Sequence, residues 1–183
     1  MSEGDKGTTY SFDVCGHCKN DYGCCQDTKP PLSEKRKKII KKYLEKHKIN
    51  IQEPFFKADY SYPALDAFLF CRFFDKKTAK CSVHPVKPET CKAGPVTFGI
   101  DFSTKKVEWF LKKSEICALA AMLYSDEVAF KRHFEAAKKQ LMQLICELDP
   151  EEIRSIVKID EPQTFKVGED NLPFEAVKKL GLK

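Results

Sequence analysis

Eight of the nine cysteines in this 183-residue chain fall into two sets of four. The first set is compact, Cys15-x2-Cys18-x5-Cys24-Cys25. The second is dispersed: nine residues separate Cys71 from Cys81 and Cys81 from Cys91, and Cys117 lies further on. A thiolate is a strong ligand for zinc and iron, and a reducing cytosol discourages disulfides. Thiols at this density therefore point to a metal centre. Free cysteines are common in ordinary cores, but eight in this arrangement exceed what packing alone asks for.

The spacing bears on which metal. Side chains of neighbours in extended chain point to opposite sides, so Cys24 and Cys25 suit different metal atoms or sites better than one tetrahedral ion. Structural zinc normally takes two short C-x2–4-C knuckles, and this chain has one. An iron–sulfur cluster presents several metal corners and accepts ligands from separate segments. The pattern therefore favours one or two iron–sulfur clusters, of the 4Fe-4S type, over zinc. The expected ligands are Cys15, Cys18, Cys24, Cys25, Cys71, Cys81, Cys91 and Cys117.

Other thiol chemistries fit less well. The chain has neither the C-x2-C-x2-C-x3-C run of ferredoxins nor the C-x3-C-x2-C run of radical SAM enzymes. Cys15-Gly16-His17-Cys18 has no βαβ context to make it thioredoxin-like. His17 and His84 stand beside cysteines and could ligate or hydrogen-bond a sulfur, although a loop histidine with no metal role is the plainer reading. Cys146 points away from the apolar arc of its helix and reads as a thiol outside the set. No HExxH, P-loop, GxSxG or GxGxxG motif occurs, so an enzyme built on this chain would work through the metal site.

The elements that must position these thiols follow from pattern. A hydrophobic content of 42% suits one folded domain of α+β class, mainly helical, with cysteine-rich loops converging on a metal centre and a small β-hairpin. Residues 1–9 read as a flexible tail, 10–148 as the cysteine-cluster domain with a long helix at its end, and 149–183 as a short helix and tail packed on it. Ser33 should cap a helix to about His47 whose apolar stripe is Ile39, Ile40, Tyr43 and Leu44. Phe68, Leu69 and Phe70 run into Cys71 as a short strand or buried turn. Pro85 and Pro88 remove backbone donors and should force extended conformations on the residues before them, which stiffens the loop between Cys81 and Cys91.

Val96–Phe102 and Lys106–Leu111 form the hairpin. Ser114 caps a short helix to about Tyr124, with Cys117 in its first turn, where the helix dipole favours a thiolate. The strongest helix spans about Asp126 to Leu148, with Phe130, Phe134, Ala137, Leu141, Leu144, Ile145 and Leu148 in one arc and His133 on its flank in a structural place. Asp149-Pro150-Glu151-Glu152 opens one more short helix through a capping box, and a last helical turn falls near Phe174 to Leu180.

Charge and hydropathy narrow the setting. The N-terminus carries no apolar stretch of signal-peptide type and no run approaches the length of a membrane span, so the expectation is a soluble cytoplasmic protein. The formal charge of +5 counts the thiols as neutral; eight thiolates on two dications bring it to about +1. Net charge is thus poor support for nucleic acid binding. The segment from Lys35 to Lys48 is more pointed, with eight Lys or Arg against one Glu. Such a helix can lie on nucleic acid or an acidic partner, but a solvated face on a Lys-rich chain is the favoured reading.

The CxxC, the adjacent cysteine pair and the run Cys81-Ser-Val-His-Pro-Val-Lys-Pro-Glu-Thr-Cys91 together resemble the YkgJ-like cysteine-cluster family of CxxCxxCC type. The resemblance covers about Cys15 to Cys117. Its most specific part is C-x-[VI]-x-x-x-[RK]-P-x-x-C, met by Cys81, Val83, Lys87, Pro88 and Cys91. It implies a zinc- or iron-chelating protein with eight cysteine ligands. The gap from Cys18 to Cys24 is longer than the family's usual spacing, and Lys92-Ala-Gly-Pro95 replaces its usual R-x-[FY]-P ending. Flagellin lysine N-methylases carry a similar module, so the resemblance also implies a route to protein modification.

Three functions follow: an iron–sulfur protein in a redox or structural role, a metal-dependent protein-modifying enzyme of lysine N-methylase kind, and a zinc-stabilised module binding nucleic acid or an acidic partner. An unidentified protein partner is expected in each. The enzyme reading requires that the thiols not be equally buried in closed tetrahedral sites.

Overall fold

The computed structural model describes residues 24–161 and 163–182. Cys15, His17, Cys18 and the expected tail 1–9 lie outside the described residues. Among the described residues the architecture is α+β, with six α-helices and small antiparallel sheets. Helix accounts for 39% of the described residues and strand for 22%, so sheet takes a larger share than the sequence suggested.

Two packed cores organise it. The larger is built on the long helix α4 (Glu127–Glu147), whose N-cap Asp126 accepts from Ala129 N at 2.9 Å. Its inward face presents Ala137, Leu141, Leu144 and Ile145 to a three-stranded sheet of β5 (Val96–Asp101), β6 (Lys106–Lys112) and β7 (Thr164–Asn171). The central strand β6 alternates, turning Val107, Trp109 and Leu111 inward. Two short helices, α5 (Pro150–Ile156) and α6 (Phe174–Lys179), close this core with Ile153 and Ala176. The expected capping box is present, with Asp149 N donating to Glu152 at 3.2 Å.

The expected hairpin therefore gains a third strand. β7 was hidden because its residues do not alternate cleanly: Lys166 pairs with Glu108 and Glu169, Glu169 with Lys106, and Asp170 accepts from Trp109 Nε1 at 2.7 Å. A bulge between Trp109 and Phe110 breaks the period further.

The smaller core lies under α1 (Glu34–Lys46), which starts as expected at Ser33, whose hydroxyl accepts from Arg36 N at 3.1 Å. Leu32, Ile40, Leu44, Phe73 and Val83 form it, and Cys71 and Cys81 pack against it. Around it run the β1 (Phe55–Lys57) and β2 (Ser61–Pro63) hairpin and the two-residue ribbon of β3 (Phe74–Asp75) and β4 (Lys80–Cys81).

Three local expectations are corrected here. Phe68 and Leu69 are not buried: they are 71% and 49% exposed at the tip of a turn held by Asp66, whose carboxylate accepts from Phe68 N and Phe70 N. Of the residues before the two prolines, Lys87 is extended as expected (φ −54°, ψ 160°), but His84 is not: it opens a 3-10 turn over His84–Val86, and the short helix α2 (Glu89–Ala93) follows. Pro85 and Pro88 sit at the starts of these turns, where a missing N–H costs no hydrogen bond. Helix α3 (Ala118–Tyr124) begins after Cys117 rather than at Ser114; Cys117 is the N-cap residue, with extended φ of −143°.

Candidate metal centre

The backbone brings separate cysteine segments side by side. Cys71 N donates to Cys25 O at 2.7 Å, and the neighbouring residues Gln26 and Phe70 form a β-bridge. Phe74 N closes a turn on Cys71 O at 2.8 Å, and Phe74 then pairs with Cys81 in the β3–β4 ribbon. Cys91 comes from α2. The charges of Cys71, Cys25 and Cys81 all act on the Cys91 thiol, and that of Cys81 acts on Cys71. Four of the expected ligands, each from a different segment, thus lie within electrostatic reach of Cys91 or of each other.

The electrostatics are those of thiols short of a counter-charge. Burial pushes Cys71 up to about 11; the Cys81 charge adds to this, and the Phe73 and Phe74 backbone N–H groups oppose it. Burial, then Cys71, Cys25 and Cys81, push Cys91 well above the ordinary thiol range, against a weaker opposing pull from Lys87. Left alone, these thiols keep their protons at neutral pH. A bound cation is the kind of charge that would ionise them.

The helix carrying Cys91 is fixed from both sides. Arg36 Nε on α1 donates to Glu89 Oε1 at 2.6 Å, with side chains 8% and 1% exposed. At its other end, Ala93 O accepts from the ring of His133 on α4 at 3.1 Å. Burial lowers the His133 pKa, so the ring stays neutral and donates from Nε2. Burial also lowers Lys92, with Arg36 contributing. Glu89 Oε2 and Thr90 Oγ1 are buried without a hydrogen-bond partner among the described residues.

Arg36 and Glu89 escaped the sequence reading. The available signal was Arg36 lying four residues before Ile40, on the buried side of α1, where a charge needs a partner. His133 keeps the structural place expected of it.

The other expected ligands stand apart in these respects. Cys24 is exposed while Cys25 is partly buried. Cys117, partly buried before α3, is not among the thiols acting on Cys91. The thiols are thus not equally enclosed. His84 occupies the 3-10 turn. Among the described residues, no group of three or more His, Cys, Asp or Glu is arranged to hold a metal ion. The four thiols are neighbours, and their soft donor atoms fit zinc or iron, but they do not form a closed cage. Among the described residues no helix is long and apolar enough to cross a membrane.

A family model described as "Putative zinc- or iron-chelating domain", with the short name CxxCxxCC, matches residues 14–118. No curated protein and no solved structure matches the chain. The matched stretch holds all eight expected ligands and leaves out Cys146. Since it spans more than half of the sequence, the chain belongs to the CxxCxxCC family of zinc- or iron-chelating domains.

Proposed function

We propose that this protein holds an iron–sulfur cluster on Cys25, Cys71, Cys81 and Cys91, in a redox or structural role. The observation that carries this reading is the backbone pairing that sets the Cys25, Cys71 and Cys81 segments side by side, with Cys91 within electrostatic reach of all three. Ligands drawn one at a time from separate segments suit a cluster with several metal corners better than a zinc site built on paired knuckles. Cys15, Cys18, Cys24 and Cys117 would complete the thiolate set, and with them a second centre of the same kind. When bound, such a cluster supplies one-electron redox chemistry or a cross-link between loops. The chain's own part is to hold four partly buried thiols near one another and to anchor the Cys91 helix through Arg36, Glu89 and His133.

Purification without air, followed by metal and sulfide analysis with a visible spectrum, tests this. Iron with acid-labile sulfide and a spectrum that bleaches on reduction are expected. Stoichiometric zinc in a colourless sample overturns it. Cys81→Ser and Cys91→Ser should each lower iron content, while Cys146→Ser should not. If Cys91→Ser retains full metal while Cys146→Ser loses it, the ligand assignment is wrong.

A further inference from the structure

Helix α3 carries no charged side chain and no polar group beyond the Tyr124 hydroxyl, yet it is not a core helix. Only Ala120 and Leu123 are buried. Ala118, Ala121, Met122 and Tyr124 are exposed, Met122 by 52% and Tyr124 by 48%. At 3.6 residues per turn these four share one arc of about 160°, opposite Ala120 and Leu123. A surface helix ordinarily sets charged residues on that side, and here every position is apolar or aromatic.

The apolar arc continues onto the sheet. The Tyr124 ring stacks on Phe165 of β7, with centroids 5.7 Å apart and planes at 18°, and Phe165 is itself 38% exposed. The Tyr124 hydroxyl donates to Lys112 O at 3.5 Å, which fixes the ring at the edge of the patch. An exposed helix face joined to an aromatic stack has the composition of a protein contact rather than of a solvated surface.

Two properties of this face complement themselves. The first is shape: Ala118 and Ala121 leave room beside the larger Met122 and Tyr124. An antiparallel copy of the helix, centred at the level of Ala120, sets Met122 of each copy over Ala118 of the other. The second is charge. The chain enters α3 from the exposed Lys113, whose N donates to Gln163 O, and leaves it through the exposed Asp126 and Glu127. Asp126 caps α4, so Glu127 is the acid less committed to its own helix. Glu115 is the acid at the basic end, and Lys112 there is engaged at 3.8 Å by Glu161. An antiparallel copy brings each Lys113 towards Glu127 of the other, and a two-fold axis makes that contact twice.

We infer that α3 and Phe165 form the surface through which two copies of this chain pair, antiparallel about a two-fold axis. One short helix and one ring per copy is a small interface, so the expected Kd is roughly 10–100 µM. The inference does not depend on which metal the cysteines hold.

The test uses the full-length, metal-loaded protein in sedimentation velocity runs from about 2 to 500 µM, a range that brackets this Kd. Cys117 stands one residue before the helix, so a reducing agent is present to keep a disulfide from joining two copies. A monomer-to-dimer transition is expected. Met122→Glu should weaken it at least about 10-fold, because pairing would bury an unpartnered charge. Phe68→Glu, at an exposed phenylalanine of another element, should leave it as it was. Lys113→Glu and Glu127→Lys should each weaken pairing roughly 3- to 10-fold by opposing like charges. An equimolar mixture of those two variants should pair like wild type, since each supplies the charge the other lost. Monomer throughout the range overturns the inference, and hydrogen exchange protection of α3 in that monomer would assign the face to another segment of the same chain. A dimer that Met122→Glu leaves intact overturns it too, as does a mixture no more associated than its two components.

Discussion

Arg36 on α1 and Glu89 on α2 meet through one short, buried hydrogen-bonded ion pair, Nε to Oε1 at 2.6 Å. Glu89 lies two residues before Cys91, so the pair ties the helix over the small core to the helix that presents the Cys91 thiol. A buried pair adds little net stability, because desolvation offsets most of the attraction. Its consequence lies elsewhere: either partner left alone is a buried, uncompensated charge, so the two helices are bound to one relative placement.

Glu89→Ala should therefore destabilise the protein by about 3–5 kcal/mol by stranding the Arg36 guanidinium. The double variant Arg36→Met, Glu89→Leu should recover most of that loss, since apolar side chains fill the same volume without a charge. Urea unfolding of wild type, both single variants and the double variant gives the coupling energy directly. A loss below about 1 kcal/mol for Glu89→Ala would show that the pair does not hold the helices.

Legibility in the sequence tracked how local the determinants are. Ser33, Asp126 and Asp149 announced three helix starts because a cap acts within four residues, and each stands where it was expected. The arc of α4 was legible for the same reason. β7 was not, since its residues make sense only opposite Lys106, Glu108 and Trp109 on β6. The Cys91 helix was missed because a proline was read only for the extended residue before it, which holds at Lys87, whereas Pro85 and Pro88 also open helical turns. Of the metal site, cysteine spacing gave the candidates alone. The nearness of Cys25 and Cys71 to Cys91 depends on long-range backbone pairing that no spacing reveals.

Thiol reactivity should be graded in metal-free protein. Burial sets Cys71 at about 11, so roughly one part in a thousand is thiolate at pH 8, and Cys91 is shifted the same way. Cys24 is exposed. Timed alkylation with iodoacetamide and peptide mapping should therefore label Cys24 early and Cys71 and Cys91 last. Equal rates at Cys91 and Cys24 would mean that burial does not protect the site.

Acid sensitivity should report on His133. Burial lowers its folded-state pKa, so the unfolded chain binds the proton more readily than the folded one. Stability from this residue is fully present above the unfolded value of about 6.5 and is lost as pH falls below it. Urea unfolding at pH 7.5, 6.5 and 5.5 should show a decline in wild type that is smaller in His133→Gln, where the amide can still donate to Ala93 O. Identical declines in both would assign the acid loss to other groups.

Backbone strain at Leu69 offers a test of the turn beside Cys71. Leu69 adopts a φ of +65°, a region that suits glycine and crowds any Cβ. Four hydrogen bonds hold the turn there: Asp66 accepts from Phe68 N, Phe70 N and Leu69 N, and Leu69 O accepts from Asp27 N at 2.9 Å. The side chain is half exposed, so it contributes little packing. Leu69→Gly removes a strain of about 1–2 kcal/mol and adds about 0.5–1 kcal/mol of unfolded-state freedom. It should leave stability unchanged or raise it by up to about 1 kcal/mol. Leu69→Val adds branching at Cβ where crowding is worst, and should cost more than about 1 kcal/mol. Denaturant midpoints for the two variants should move in opposite directions or differ clearly; a stable valine variant with a weakened glycine one would place the value of Leu69 in its side chain, not in the turn.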